Sequence, residues 1–71
     1  MSFRKGTKVR WNWSGSTATG KITEIFTEDV ERTIKGSKIK RKASKDDPAY
    51  MIEQEDGDRV LKSKSEIERA D

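Results

Sequence analysis

The chain has 71 residues, of which sixteen are basic and thirteen acidic, so that its formal net charge is +3 at pH 7. A chain of this length forms one domain, and such a domain buries only about 60% of the surface that its unfolded chain exposes. Because both Cys and His are absent, disulfide bonds, thiolate sites, the common zinc sites and the usual nucleophilic triads are excluded.

The apolar content predicts a thin core. Val, Ile, Leu and Phe together fall below the roughly 20% that accompanies disorder when net charge is also high. The net charge is low, however, and apolar residues alternate with polar ones in short runs, so a folded domain is expected. The first residues lack the apolar core of a signal peptide, and no run approaches the roughly 20 apolar residues of a membrane span. A cysteine-free domain of this kind is expected in the cytoplasm.

The first predicted strand covers residues 8–13, where Val9, Trp11 and Trp13 alternate with polar residues and therefore share one face. Trp11 lies in mid-strand and is expected in the core, because so thin a core needs its large aromatic side chains. Trp13 adjoins a predicted loop at residues 14–16, so that an exposed and a buried position are both open.

A second strand is predicted over residues 17–26. Ile22 and Phe26 would share a face in a regular strand, whereas Ile25 would lie on the opposite face. We therefore predict a bulge or sharp bend that brings all three side chains to one core, with Phe26 buried.

The next two predicted strands, residues 30–34 and 39–42, form a hairpin. Gly36 and Ser37 at the centre of the connection suit a type II′ turn, which would place Ile34 opposite Ile39. Residues 43–48 are predicted to form a loop, since Pro48 holds the residue before it away from helical geometry.

A second clear hairpin signal is Asp56-Gly57, between predicted strands at residues 50–55 and 58–62. A three-residue loop would pair Glu53 with Arg59 and Ile52 with Val60, and this register gives better cross-strand pairs than a two-residue loop. In the tail, Ser65 is a candidate N-cap with Glu68 three residues later, so one or two helical turns anchored by Ile67 are expected.

Five or six short strands followed by a terminal turn indicate a small barrel. The stretches 5–12 and 20–26 resemble the first two strands of an SH3-like or Tudor-type barrel. The stretches 32–37, 43–50, 56–57 and 60–63 resemble the hypervirulence-associated protein Tudor-domain family. The resemblance implies an all-β, SH3-like (Tudor-type) barrel of about five strands with a short C-terminal helical turn. It covers roughly residues 6–67 of a single domain, 1–71, and supplies no catalytic residue.

The hairpin is rich in cations, with no acidic residue from its first arginine to its last lysine. This basic hairpin comprises Arg32, Lys35, Lys38, Lys40, Arg41, Lys42 and Lys45. One interpretation is a nucleic-acid surface, because clustered cations release the counterions condensed on phosphates. The favoured interpretation is a solvated edge, whose lysines oppose aggregation and whose charge is neutralised by flanking acids such as Glu31 and Asp46.

The aromatic residues suggest a second candidate site. An SH3-like barrel can use aromatic side chains at strand ends as a binding rim for a cation or a base. Trp13 and Tyr50 are the candidates for such a rim, the first for its loop-end position and the second for its polar hydroxyl.

Catalysis would depend on carboxylates alone. Asp46-Asp47 and the Asp56 and Asp58 pair lie in hydrophilic turns, where little excludes water or shifts a pKa. We therefore predict a non-enzymatic interaction module, with no metal or cofactor, that acts as a monomer and binds a protein or peptide partner. The alternative is nucleic-acid binding through the basic hairpin.

Overall fold

The computed structural model describes residues 3–70, and this part of the chain is almost entirely β-structure. One turn of 3₁₀ helix, Lys64–Glu66, interrupts the strands near the end of the chain. The strands in chain order are β1 (Lys8–Trp13), β2 (Ser16–Phe26), β3 (Val30–Ile34), β4 (Ser37–Arg41), β5 (Ala49–Glu53), β6 (Arg59–Ser63) and β7 (Glu68–Arg69).

The strands form two antiparallel sheets. Five of them are arranged in the order β6-β5-β2-β1-β7, and β3 pairs only with β4. The all-β prediction is therefore confirmed, but the closed barrel is wrong. The β3–β4 hairpin lies against β6 and packs by side chains rather than by a continuous ladder of hydrogen bonds, so the sheets stay open.

Strand β5 lies at the centre of the packing because its first four residues are all buried. Tyr50 and Ile52 face one hydrophobic cluster, together with Val9 and Trp11 of β1. Ala49 and Met51 face a second cluster, which joins β5 and β6 to the β3–β4 hairpin. Successive strand residues point to opposite faces, so one strand serves two cores.

The predicted irregularity in β2 is present. The pairing of β2 with β5 shifts register between Ile22 and Glu24, and the extra residue returns Ile25 to the face of Ile22. Ile22 and Ile25 both pack in the first cluster. Phe26 is half-buried against the second cluster, so the bulge serves two cores rather than the single core predicted.

Two hairpins turn through residues with positive φ. Ser14 and Gly15 have φ of 47° and 80°, and Lys35 and Gly36 have φ of 52° and 80°. Positive φ at both central positions matches the type I′ turn, whose twist suits the flanking strands. The predicted type II′ turn at Gly36-Ser37 is therefore wrong. The loop lies one residue earlier, and Ile34 pairs with Ser37 rather than with Ile39.

The third hairpin has the predicted register. Glu53 pairs with Arg59 and Ile52 with Val60. The loop has three residues and is closed by a backbone hydrogen bond of 2.7 Å from the Gln54 N–H to the Asp58 carbonyl oxygen.

The tail differs from its prediction, because the helical turn is a single 3₁₀ turn preceded by Ser63 as N-cap rather than Ser65. The Ser63 backbone N–H donates to Oε1 of Glu66 at 2.9 Å. This is the Ser-x-x-Glu spacing predicted for Ser65 and Glu68, placed two residues earlier. The chain after it extends as β7 along β1.

Gly20 is a close-approach position in β2, beside Ile52 and Glu53 of the neighbouring strand β5. A Cβ atom added there would lie 2.6 Å from Cγ2 of Ile52 and 2.7 Å from the Glu53 carbonyl oxygen. We expect Gly20→Ala to lower the free energy of unfolding by about 1–3 kcal/mol through overpacking, as measured by urea denaturation. A loss below about 0.5 kcal/mol for Gly20→Ala would contradict the close-approach explanation.

Candidate functional site: a groove between three hairpin tips

The tips of the three hairpins meet at one end of the fold. Trp13 comes from the β1–β2 tip, Ile34 and Lys35 come from the β3–β4 tip, and Asp58 comes from the β5–β6 tip. They border an open cavity of about 500 Å³, which we call the tip groove. Its complete lining is Trp11, Trp13, Ala18, Ile34, Lys35, Ser37, Ile39, Gln54, Asp58, Arg59 and Val60.

The two tryptophans of β1 have different environments although they share one face. Trp11 is 4% exposed and belongs to the first cluster, whereas Trp13 is 64% exposed. Trp13 pairs with Ser16 across the type I′ turn, and the Ser16 hydroxyl donates to the Trp13 carbonyl oxygen at 3.1 Å. The turn therefore fixes the backbone at Trp13 and leaves its indole beside the tip groove.

Tyr50 does not reach this rim. Its side chain is fully buried, where its hydroxyl accepts a hydrogen bond from the Phe3 backbone N–H at 3.2 Å and its ring contacts the Phe3 ring edge-on at 5.7 Å. The predicted pair Trp13 and Tyr50 is therefore reduced to Trp13. The sequence does contain a signal for the burial of Tyr50, namely the run of four apolar residues at the start of Ala49–Glu53. A strand that is buried on both faces has consecutive apolar residues, whereas a strand with one exposed face alternates apolar and polar residues.

A second cavity of about 390 Å³, the side groove, lies next to the tip groove. The two grooves share Ile34, Lys35, Asp58 and Arg59. Glu24, Arg32 and Thr33 line only the side groove. The Arg32 guanidinium lies over the Phe26 ring at 4.9 Å from its centroid, a cation–π contact that orients this arginine.

An ion pair joins two of the hairpin tips where the two grooves adjoin. The Lys35 ammonium donates to Oδ2 of Asp58 at 2.7 Å. This hydrogen bond and the charge of Asp58 raise the pKa of Lys35 above its usual value. The pair links the β3–β4 turn to the β5–β6 turn across the grooves.

The basic hairpin does not present its cations on one surface. The register places Arg32 and Arg41 on the face that carries Val30 and Ile34, and Lys38 and Lys40 on the opposite face. Lys35 lies in the turn, and Lys42 and Lys45 follow β4 in the loop.

Acidic residues neutralise part of this hairpin. Lys35 pairs with Asp58, Lys40 pairs with Glu31 at 3.3 Å, and Arg41 pairs with Glu66 at 2.9 Å. Only Glu31 of these acids belongs to the predicted flanking set; Asp58 comes from the β5–β6 turn and Glu66 from the 3₁₀ turn. Within residues 3–70, Lys38, Lys42 and Lys45 have no carboxylate at ion-pair distance.

Glu66 is the acid that holds the far end of the basic hairpin. Its carboxylate accepts hydrogen bonds from the Ser63 backbone N–H and from Nε of Arg41, and Lys62 lies 3.8 Å away. Partial burial opposes the charged form, but these donors and cations outweigh it and lower the pKa of Glu66 below its ordinary value of 4.5. The 3₁₀ turn is thereby fastened to β4.

The remaining acidic residues considered for catalysis lie in turns and loops. Asp56 accepts the Asp58 backbone N–H at 3.0 Å, and the Asp47 backbone N–H donates to Ser44 Oγ at 3.1 Å. Across residues 3–70, no three Asp or Glu side chains come together as a metal site. The same residues contain no helix long and apolar enough to cross a membrane.

Sequence reasoning did not identify most of the tip groove. Ile34, Ile39 and Val60 come from different strands and look like ordinary strand residues. Arg59 lies outside the cation run that drew attention to the hairpin. Their shared position depends on how the hairpin packs against β6, which no local pattern specifies.

The pKa of Glu66 gives a stability prediction. A carboxyl whose pKa is depressed in the folded state contributes stability that is complete above its ordinary pKa of 4.5 and is lost as pH falls through the folded-state value. We expect Glu66→Gln to lower the free energy of unfolding by about 1 kcal/mol at pH 7, and the difference from wild type to shrink below pH 4.5. Urea denaturation at several pH values measures this.

Glu68→Gln is the matched control, because Glu68 also pairs with an arginine but its side chain is 67% exposed. It should cost about 0.5 kcal/mol or less. An equal cost for both substitutions would contradict the fastening role given to Glu66.

Comparison with known families agrees with the fold. The family model described as "Hypervirulence associated proteins TUDOR domain" matches residues 6–67. No curated protein and no solved structure gives a significant match. The matched segment contains all three hairpin tips and both grooves.

Proposed function

We propose that the chain, which belongs to the hypervirulence-associated Tudor-domain family, binds a protein or peptide partner in the tip groove. Tudor-type domains are commonly small, generally non-enzymatic interaction modules, which supports this class of function. Under this proposal the protein acts as a monomer in the cytoplasm.

The observation that carries the proposal is the exposure of Trp13. It is the only exposed large hydrophobic side chain among residues 3–70, and it borders a cavity with Ala18, Ile34, Ile39 and Val60. A protein with so few apolar residues gains no folding stability from an indole left in water, since apolar surface stabilises only when it is removed from water. Exposed tryptophans with a neighbouring apolar cavity are typical anchors of protein interfaces.

The two tryptophans provide a matched test. Trp13→Ala should change the free energy of unfolding by no more than about 1 kcal/mol, because most of its side chain is already in water. Trp11→Ala should cost about 3–5 kcal/mol, as expected for a buried aromatic residue. Thermal and urea unfolding of both variants measures this difference, and similar losses would assign Trp13 to the core.

Binding is tested by affinity capture from nuclease-treated lysate of the source cells. Wild-type protein and Trp13→Phe, which keeps an aromatic ring, should retain the same partner, whereas Trp13→Ala should lose it. Capture that is unaffected by Trp13→Ala would overturn the assignment of the tip groove as the binding site.

The alternative function is nucleic-acid binding through the basic hairpin. It is favoured by Lys38, Lys42 and Lys45, whose charges have no anionic partner among the described residues. It is weakened by the pairing of Lys35, Lys40 and Arg41 with acids.

Salt dependence separates the two functions. Each phosphate contacted contributes a slope of about −0.9 to the logarithm of affinity against the logarithm of salt concentration for duplex DNA. Three unpaired lysines would therefore give a slope of about −3 with duplex DNA fragments. The peptide-binding proposal predicts no measurable binding of RNA or DNA fragments at low salt. Binding with a slope of about −3 that is lost when all three lysines are substituted would instead support nucleic-acid binding.

A further inference from the structure

The two grooves contain unpaired positive charge beside an apolar wall. Three cations line them, Arg32, Lys35 and Arg59, together with the acids Glu24 and Asp58. Lys35 and Asp58 neutralise each other at 2.7 Å. Two guanidiniums and one carboxylate remain, so the grooves keep a net positive charge after the internal pair is counted.

Arg59 is positioned to serve both grooves. It lines the tip groove with Trp13 and the side groove with Arg32. Among the described residues no carboxylate lies within ion-pair distance of Arg32 or Arg59, although Glu53 is the cross-strand neighbour of Arg59. The exposed planar fork of a guanidinium matches the geometry of a carboxylate, which it binds through two parallel hydrogen bonds.

The apolar wall continues from this charged region. Ile34 lines both grooves, and Ile39 and Val60 extend the wall of the tip groove toward Trp13. A side chain that enters the tip groove would touch the indole and these aliphatic groups, and the next part of the same ligand would meet Arg59. A ligand that fits both regions carries an apolar group and an anion close together.

We propose that the ligand of the two grooves is an acidic peptide segment, with one apolar anchor residue in the tip groove and a neighbouring Asp or Glu carboxylate on Arg59. This inference rests on the proposed function, and it names the chemistry of the partner. Arg32 in the side groove receives a second carboxylate of the same segment.

A single-stranded nucleic acid also combines an apolar ring with an anion, but the grooves suit it less. Platforms for unpaired bases use several aromatic side chains in succession, whereas Trp13 is the sole exposed large hydrophobic residue between residues 3 and 70. The tip groove is completed by aliphatic side chains, Ala18, Ile34, Ile39 and Val60, rather than by further aromatic rings. The observations therefore favour a peptide.

The test is selection of phage-displayed random 12-residue peptides on immobilised wild-type protein, with counter-selection on Trp13→Ala. Peptides that depend on Trp13 should be enriched in Asp and Glu within a few residues of Leu, Ile, Phe or Met. Synthetic versions of the enriched peptides are then titrated against variants by fluorescence anisotropy.

Arg59→Gln should weaken these synthetic peptides about fivefold, and replacement of the peptide's acids by their amides should remove the difference between wild type and Arg59→Gln. Arg4→Gln is the matched control, since Arg4 has the same charge, is exposed and lines neither groove. Arg4→Gln should leave the affinity unchanged, and equal effects of the two substitutions would overturn the role of Arg59.

The other outcomes are distinguishable. Trp13-dependent peptides that are basic or uncharged would overturn the acidic-peptide inference and leave the proposed function standing. A selection that yields no Trp13-dependent peptide would overturn both the acidic-peptide inference and the proposed function. Labelled 12-nucleotide oligo-dT and oligo-U are titrated in parallel, and binding that is tighter than that of the selected peptides and is lost in Trp13→Ala would assign the grooves to nucleic acid instead.

Discussion

The structure depends on the burial of β5 on both of its faces. Tyr50 and Ile52 pack into one cluster while Ala49 and Met51 pack into the other, so a chain with few apolar residues builds two cores around one strand. Burying an aliphatic or aromatic side chain contributes about 1.5–3 kcal/mol, which makes this four-residue run a large share of the stability of a small domain. The strand also fixes its neighbours, because β2 and β6 pair with it on either side.

The candidate site is a consequence of that arrangement. The central strand positions β2 and β6, the second cluster holds the β3–β4 hairpin against the sheet, and the three hairpin tips then meet at one end. The turn residues determine the shape of each tip: all three tips contain a residue with positive φ, and in the third the Asp56 side chain also accepts the Asp58 backbone N–H. The Lys35–Asp58 ion pair joins the β3–β4 tip to the β5–β6 tip, and Trp13 of the β1–β2 tip also borders the tip groove.

The distribution of charge on the surface also depends on contacts between residues that are far apart in sequence. A run of seven cations in the sequence becomes a hairpin with two faces, and Asp58 and Glu66 bring negative charge to it from distant parts of the chain. Conversely, Arg59 belongs to no run in the sequence, yet it lies among the groove residues without an acidic partner. Among the described residues, positive charge without a carboxylate at ion-pair distance is therefore found both at Lys38, Lys42 and Lys45 of the basic hairpin and at Arg32 and Arg59 in the grooves.

The sequence alone determined the strand class, the bulge in β2, the register of the third hairpin and the burial of Trp11, because alternation, turn residues and cross-strand pairing act over short distances. It also allowed the family to be identified. It misplaced the β3–β4 turn by one residue, since Lys35-Gly36 and Gly36-Ser37 are both acceptable turn centres and packing chose between them. The open sheet, the burial of Tyr50 and the exposure of Trp13 were decided by tertiary structure. Each depends on which strands meet across the chain, and the energy of those contacts comes from residues far apart in sequence.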